Sequence, residues 1–451
     1  GNNILQEMAD IPNLDIVFNA TYNNIQKEGK DWQVTYEHNQ KRFITTTKIL
    51  IDATEIGELL PIVGADFRLG MDAKSDTGEA EAPETANSIV QDLTYAVILE
   101  DVSTHSRSEV NKRGLVKKPK GYNPKDFECA CQRAGGEMFG SVSSCKQMLD
   151  YGKLPNNKYM INWPNCGNDF YLNWPELNRQ QRQQKLQEAK YLTQGFVYYI
   201  QNELGFKNLR VAAEFPTKDN FPMIPYDREA RRIKGKVFLT VDHLERPYDF
   251  NLYRTGVAVG DYPIDHHHDK NPEAPEIAFI NIKVPSYTIP LGSLVPENIE
   301  NFIVAEKNIS VSNIVNGTTR LQPVVLGIGQ AAGALAATSI LEKIPPSQVG
   351  IRKVQNALLE SQAYLMPYID VTTDHPAFGS IQRIGATGIL KGFGVPYKWA
   401  NQTWFYPERI VSEYEWKTGL LPYFPEIENL PASGQGITLP FITSVAQIVH
   451  P

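Results

Sequence analysis

The sequence predicts an α+β chain. Three observations carry this: short alternating runs in the first fifty residues, helical spacing over 177–204, and an apolar strand followed by a long small-residue helix after residue 300. Length agrees, since 451 residues allow about three domains at roughly 150 residues each.

In chain order, 15–19, 21–26, 32–36 and 43–52 read as strands separated by turn residues at 29–31 and 38–40. They form an antiparallel meander feeding one last strand, 48–54, whose continuous apolar run is that of a strand covered on both faces. Beyond residue 65 the pattern weakens. An acidic segment at 78–84 and a basic one at 112–120 read as solvated loops. Helical spacing resumes at 177–204, where Leu186, Ala189, Leu192 and Phe196 share one face and Arg179, Gln181, Arg182 and Lys185 take polar positions. Strands are expected at 236–241 and 299–305, then a long helix and a break at Pro345-Pro346. The expected domains are 1–64 (meander and return strand), 65–285 (mixed substrate domain), 286–345 (return to the first domain) and 346–451 (C-terminal helical module).

Hydrophobic residues make up 42% and charged residues 21%, which excludes a mainly disordered or fibrous chain. Basic and acidic residues number 44 and 51, a net −7. No basic excess points to nucleic acid or an anionic membrane, and a small-molecule substrate or a protein partner is expected. The uncharged stretch 324–341 reaches the length of a membrane span, but its Gly, Gln, Thr and Ser content reads as a buried helix. No basic-then-apolar leader opens the sequence, so the compartment stays open, periplasmic or extracellular sites included. Cys129, Cys131, Cys145 and Cys166 match no common zinc spacing and read as ordinary thiols, ahead of a metal site or a local disulfide.

The most informative stretch is Asn301-Phe302-Ile303-Val304-Ala305-Glu306-Lys307, then Gly317-Thr318-Thr319-Arg320-Leu321-Gln322-Pro323, continuing through Gly327, Gly329, Ala331 and Gly333. A short strand runs into a polar loop, and Pro323 opens a helix where its missing N–H costs nothing. The free N–H groups and partial positive charge of that terminus suit a phosphate or an electron-rich ring oxygen, with Thr318, Thr319 and Arg320 adding donors. Gly327, Ala331 and Ala334 share one face and Gly329 and Gly333 another, allowing close approach by a ligand or by a packed sheet. The glycine spacing is no dinucleotide fingerprint, because these glycines lie inside the helix.

Further motifs stand in order along the chain: Ile51-Asp52-Ala53-Thr54-Glu55-Ile56-Gly57-Glu58-Leu59, Pro225-Tyr226-Asp227-Arg228-Glu229-Ala230-Arg231-Arg232, Gly260-Asp261-Tyr262-Pro263-Ile264-Asp265-His266 and Ile289-Pro290-Leu291-Gly292-Ser293-Leu294-Val295-Pro296. With them, residues 4–345 resemble the FAD-dependent oxidoreductases related to the fumarate-reductase and glutathione-reductase flavoproteins, some of which carry the label xanthan lyase-like. The resemblance implies an α/β FAD-binding-type domain remnant around the meander, and FAD as cofactor. In that family the turn after the return strand and the helix after the late strand border the flavin, which nominates Ala53, Thr54, Glu55, Thr319, Arg320, Leu321 and Gln322 as cofactor-binding. It further implies hydride transfer from a carbohydrate-derived or other small polar substrate, assisted by a base the sequence does not identify.

Two departures accompany the resemblance. Ala305-Glu306-Lys307 stands where the family has A-G-R, bringing a carboxylate to a place where it would repel a pyrophosphate. The family's opening strand, glycine loop and helix have no counterpart ahead of the meander. Three readings follow: a truncated sequence, an N-terminal FAD-binding segment supplied in trans, or a degenerate homologue without FAD that serves as a non-catalytic, envelope-associated binding protein.

Arg228, Arg231 and Arg232 suit a substrate carboxylate or phosphate, or else pair structurally between domains. His266-His267-His268 predicts no metal site, since consecutive side chains diverge. In the tail, His375-Pro376-Ala377-Phe378, Ile381, Ile384, Gly388-Ile389-Leu390-Lys391-Gly392 and Phe405-Tyr406-Pro407 resemble one S-layer homology module. Phe378, Ile381 and Ile384 face inwards on a helix stopped by Gly388. That resemblance implies a cell-wall polymer as ligand, with docking onto the chain's own body as the other reading.

Overall fold

Strands β1 (Thr21–Glu28), β2 (Asp31–His38) and β3 (Lys41–Thr47) pair antiparallel in that order, in a computed structural model that describes residues 2–104, 114–133 and 141–449. Asn39 and Gln40 take φ 50° and 61° between β2 and β3, the left-handed pair that matches a two-residue hairpin to the twist of its strands. Residues 15–19, expected as a strand, form none; Val17 and Phe18 are exposed and Asn19 turns with φ 55°. Trp32 of β2 is buried, and its indole N–H donates to the Asn301 carbonyl at 2.8 Å, tying the meander to the body.

The expected 43–52 strand is broken. After β3 the chain leaves the meander, and β4 (Leu50–Asp52) pairs parallel with β15 (Phe302–Val304). All of β15 is buried, whereas Leu50 and Ile51 are half-buried, so β4 is not covered on both faces as its apolar run suggested. Among the described residues no strand pairs with the other edge of β4. Ala305 N–H donates to the Asp52 carbonyl at 2.8 Å, bringing the two C-terminal strand ends side by side.

Helix Asn313–Thr319 occupies the stretch expected as a polar loop; Ser312 starts it by accepting the Val315 N–H at 3.1 Å. Helix Gln322–Glu342 follows directly. It has the length and apolarity of a membrane span, and its Val324, Ile328, Ala331, Ala332 and Leu335 are buried in the main core. Gly327 packs on Ala258 of β13 (Gly256–Gly260), which pairs with β14 (Tyr287–Pro290), while Gly329 and Gly333 face open space.

Two short pairs stitch the centre, β5 (Phe67–Arg68) with β12 (Arg232–Ile233) and β6 (Leu93–Thr94) with β10 (Asp169–Phe170). The 236–241 strand is not formed. Leu239 makes one parallel bridge to Val311, and then Thr240 donates its N–H to His243 Nδ1 at 3.0 Å and turns the chain into helix Val241–Glu245. The acidic 78–84 segment is not wholly solvated: Glu79 is buried, accepting from Ser312 Oγ at 2.6 Å and Val241 N at 2.9 Å. Of the basic 112–120 segment, Lys112 and Arg113 lie outside the described residues.

A second core lies between helix Arg179–Asn202, which buries Phe196, Val197 and Ile200, and an antiparallel sheet. Its order is β11 (Leu209–Val211), β7 (Val97–Asp101), β9 (Lys158–Ile161), β8 (Lys153–Leu154). Beside it the cysteines are paired, Cys129 with Cys166 and Cys131 with Cys145, which corrects the reading of ordinary thiols. The turns bring the Cα atoms to 5.6 and 4.5 Å, within disulfide reach.

The main core runs on past Pro345. It takes in Val354, Leu358, Leu365, Tyr368, Phe378, Ile381 and Phe405 alongside Phe302, Ile328 and Leu335. Helix Phe378–Thr387 ends at Gly388, whose φ of 77° is a left-handed cap. A hairpin of β16 (Phe393–Val395) and β17 (Gln402–Trp404) follows it. Leu420, Ile427, Phe441 and Val445 form a small cluster of their own.

Candidate active site

A cavity of about 560 Å³ opens between the two cores, a size that suits a small molecule. The main-core side supplies Tyr262, Asp265, His266, His267, Arg320, Leu321 and Gln322; the other side supplies Tyr151, Met160, Asn162 and Pro164. Arg228 and Tyr226 also line it, as does Trp399 from the C-terminal segment.

Helix Gln322–Glu342 aims its N-terminus at this space. Pro323 sits in its first turn, and no side chain caps the terminus, so the free N–H groups and the dipole are left for whatever the cavity holds. Arg320 precedes it, fully buried; its guanidinium donates to Tyr226 Oη at 2.9 Å and to Asp265 Oδ2 at 3.2 Å.

The polar wall centres on His267. Its Nδ1 lies 2.6 Å from Asp169 Oδ2 and its Nε2 lies 3.4 Å from Asp265 Oδ2. Burial and Arg228 push the imidazole pKa down, but Asp169 and Asp265 outweigh them and raise it. Burial alone would push Asp169 up; Arg228 and His267 overcome that and hold it well below the usual carboxylate range. Arg228 donates to the Asp92 carbonyl at 2.7 Å and to Thr94 Oγ1 at 2.9 Å, and Thr94 in turn bonds Asp169. Burial pushes the Asp92 carboxyl up to about 7. The neighbouring histidines make contacts of their own. His266 stacks on Phe279 with ring centroids 4.0 Å apart and meets the Ile314 carbonyl at 3.1 Å, and burial beside His267 lowers His268 to about 4. Among the described residues no cluster of three or more His, Cys, Asp or Glu suits a metal.

The residues nominated from sequence divide. Arg320, Leu321, Gln322 and Arg228 line the cavity. Thr319 is buried and bonds the Val315 carbonyl at 3.3 Å. Arg231 and Arg232 do not reach the cavity. Arg231 binds the Ile56 and Pro175 carbonyls, and Arg232 is locked to Glu229 at 2.6 Å and Asp72 at 3.1 Å. Ala53, Thr54 and Glu55 form the turn after β4, organised by buried Asp52, which accepts from Thr54 N at 2.9 Å and Leu59 N at 3.0 Å. Glu306 stands beside that turn with φ 62°, and its carboxylate does not face outward unpaired. Lys307, 1% exposed, donates to Glu306 and Glu55 at 2.8 Å each.

Sequence reasoning missed Asp169, His267, Asp265, Tyr226 and Trp399. The pairing of His267 with Asp169 spans 98 positions and left no local trace.

A helix N-terminus, two buried arginines and a histidine between carboxylates make a site for a polar small molecule and for moving a proton. The family comparison agrees: the model of the family described as "FAD dependent oxidoreductase" matches residues 1–358, and the chain belongs to that family. Comparisons with curated proteins and with solved structures each return no match.

The cavity residues fit the ring end of the family's cofactor. Among the described residues Arg228 Nε and Arg320 Nε are buried donors without a partner, and together with the uncapped helix terminus they suit the electron-rich edge of a flavin. The strand ends fit a pyrophosphate less well, because Lys307 is already neutralised by Glu55 and Glu306.

Proposed function

We propose that the protein oxidises a small, hydroxyl-rich substrate of the carbohydrate type in the cavity beside Gln322, with His267 as the base. The carrying observation is the His267 imidazole held between Asp169 and Asp265 on the wall that the Gln322 helix enters. Bound FAD supplies the two-electron acceptor. Arg228, Asn162 and Tyr226 offer donors and acceptors that orient hydroxyl groups. Asp169 holds Nδ1, so Nε2, with its longer contact to Asp265, is the atom that takes the hydroxyl proton as the C–H bond is oxidised. The paired cysteines support an oxidising compartment. Titrating the purified protein with FAD tests the reading. Saturable quenching of flavin fluorescence that weakens in Arg320→Lys is expected, and no quenching by FAD or riboflavin would sink it.

A second reading is favoured by the outer edge of β4, which no strand pairs among the described residues, and by Leu326, Ile340 and Leu341 exposed on the Gln322 helix. In it, a strand–helix unit docks on that face and supplies the pyrophosphate grip, while this chain supplies the ring site. Equal affinities for riboflavin and FAD would support it; FAD binding 100-fold tighter would overturn it.

A further inference from the structure

We infer that the Tyr226 hydroxyl is a catalytic donor that works with His267: it binds the substrate oxygen from which His267 takes the proton, and holds the negative charge that gathers there. This deepens the reading of the cavity as an oxidation site and rests on it.

Tyr226 lines the cavity, with the guanidinium carbons of Arg228 and Arg320 at 5.1 and 5.9 Å from its ring centroid. Arg320 Nη1 donates to its Oη at 2.9 Å. A guanidinium only donates, so Tyr226 is the acceptor in that contact and its own hydrogen is left over. Among the described residues that hydrogen meets no acceptor, whereas Tyr262, facing the same cavity, directs its hydroxyl to Asp265 Oδ2 at 3.3 Å.

Tyr226 is tied to His267 at both ends. At the ring end, Arg320 Nη2 donates to Asp265 Oδ2 at 3.2 Å, and that oxygen lies 3.4 Å from His267 Nε2. At the backbone end, the Tyr226 N–H donates to the Thr94 carbonyl at 2.8 Å and its carbonyl accepts the Thr94 N–H at 3.0 Å. Thr94 Oγ1 donates to Asp169, which holds His267 Nδ1 at 2.6 Å. Tyr226, Arg320, Asp265, His267, Asp169 and Thr94 thus close a circuit of contacts. A donor and a base fixed to one frame can meet the same substrate atom with little left to order.

In the oxidation the substrate O–H proton passes to His267 Nε2, the hydrogen on carbon leaves with the C–H electron pair for the flavin, and the C–O bond becomes C=O. The oxygen is most negative when the proton has gone and the hydride has not. A hydrogen bond to it is then stronger than in the starting complex, so it raises kcat rather than lowering KM. Tyr226 supplies that bond, and the hydrogen bond it accepts from a charged donor polarises its own O–H.

Tyr226→Phe keeps the ring and removes the donor. The full chain with FAD added is assayed on D-glucose, D-galactose, D-galacturonate and D-sorbitol with a dye as terminal electron acceptor. With the probe that the wild type oxidises fastest, Tyr226→Phe is expected to lower kcat roughly 100-fold and to leave KM within about three-fold. FAD affinity, read by fluorescence quenching, is expected to stay within about three-fold, and the rising limb of kcat/KM against pH to stay in place. A raised KM with unchanged kcat overturns the inference, because the contact is then made equally in the ground state. A moved limb, or FAD affinity weakened about ten-fold or more, also overturns it, because Tyr226 then acts through His267 or Arg320. Both results leave the oxidation reading standing. No oxidation of any probe by the wild type overturns that reading and this inference with it. Should the phenylalanine variant misfold, 3-fluorotyrosine introduced at position 226 keeps the packing. A fluorinated phenol loses its proton more readily, so the alkaline fall of kcat is expected to move to lower pH, and an unmoved fall overturns the inference.

Discussion

The His267 imidazole and the Asp169 carboxylate, 98 positions apart in sequence, meet at 2.6 Å on the cavity wall. Asp169 is fully buried while His267 keeps a side open to the cavity, so the pair is anchored on one partner and accessible on the other.

His267 acts as a base only when neutral, and its pKa is raised from 6.5. With the substrate that the wild type oxidises fastest, the rising limb of kcat/KM against pH is therefore expected above pH 6.5. His267→Gln should lower kcat roughly 100-fold or more with little change in KM. A limb below pH 6.5 would contradict the assignment.

Stability should carry the same pair's signature. His267 is raised above 6.5, so its contribution is complete below that value and is lost as pH rises through the folded-state pKa. Asp169 is held below 3.8, so its contribution is present above that value and is lost as pH falls. Urea unfolding of wild type and Asp169→Asn should then differ most between pH 3.8 and 6.5, by about 3 kcal/mol for a broken buried pair, and less on either side. A difference independent of pH would remove the ion pair from the account.

The disulfides pin the segment that supplies Arg133, Asn162 and Pro164 to the cavity. Their sequence separations of 37 and 14 predict a loss of about 3–4 kcal/mol for each one removed. Thermal melts of Cys129→Ser/Cys166→Ser and Cys131→Ser/Cys145→Ser, read against the reduced wild type, check this. Coincident melts with and without reductant would show the bonds are not formed.

Gly317 lies where helix Asn313–Thr319 passes His266. A Cβ there would strike the imidazole ring and stand 2.9 Å from the Asp265 carbonyl. Gly317→Ala is expected to cost about 1–3 kcal/mol by overpacking and to weaken flavin binding through Asp265. An unchanged urea midpoint would show that the ring yields freely.

What the sequence made legible was local. Asn39 and Gln40 mark their turn, and Pro323 marks the terminus that reaches the cavity, because turn and cap chemistry acts over a few residues. The wall facing that terminus was not legible. Asp169, His267 and Trp399 come from distant segments brought together by packing, and the β4 run looked doubly covered because apolar content does not say which face finds a neighbour. Glu306 looked like an exposed obstacle, since nothing in its neighbourhood announces that Lys307 folds back between it and Glu55.

The family match stops at residue 358, inside helix Ile351–Glu360. A recombinant fragment cut there would end mid-turn and strip Leu365, Tyr368, Phe378 and Phe405 from the main core, leaving their apolar contacts open to aggregation. For expression or crystallisation, the unit to produce is the body together with the tail through at least the β17 hairpin.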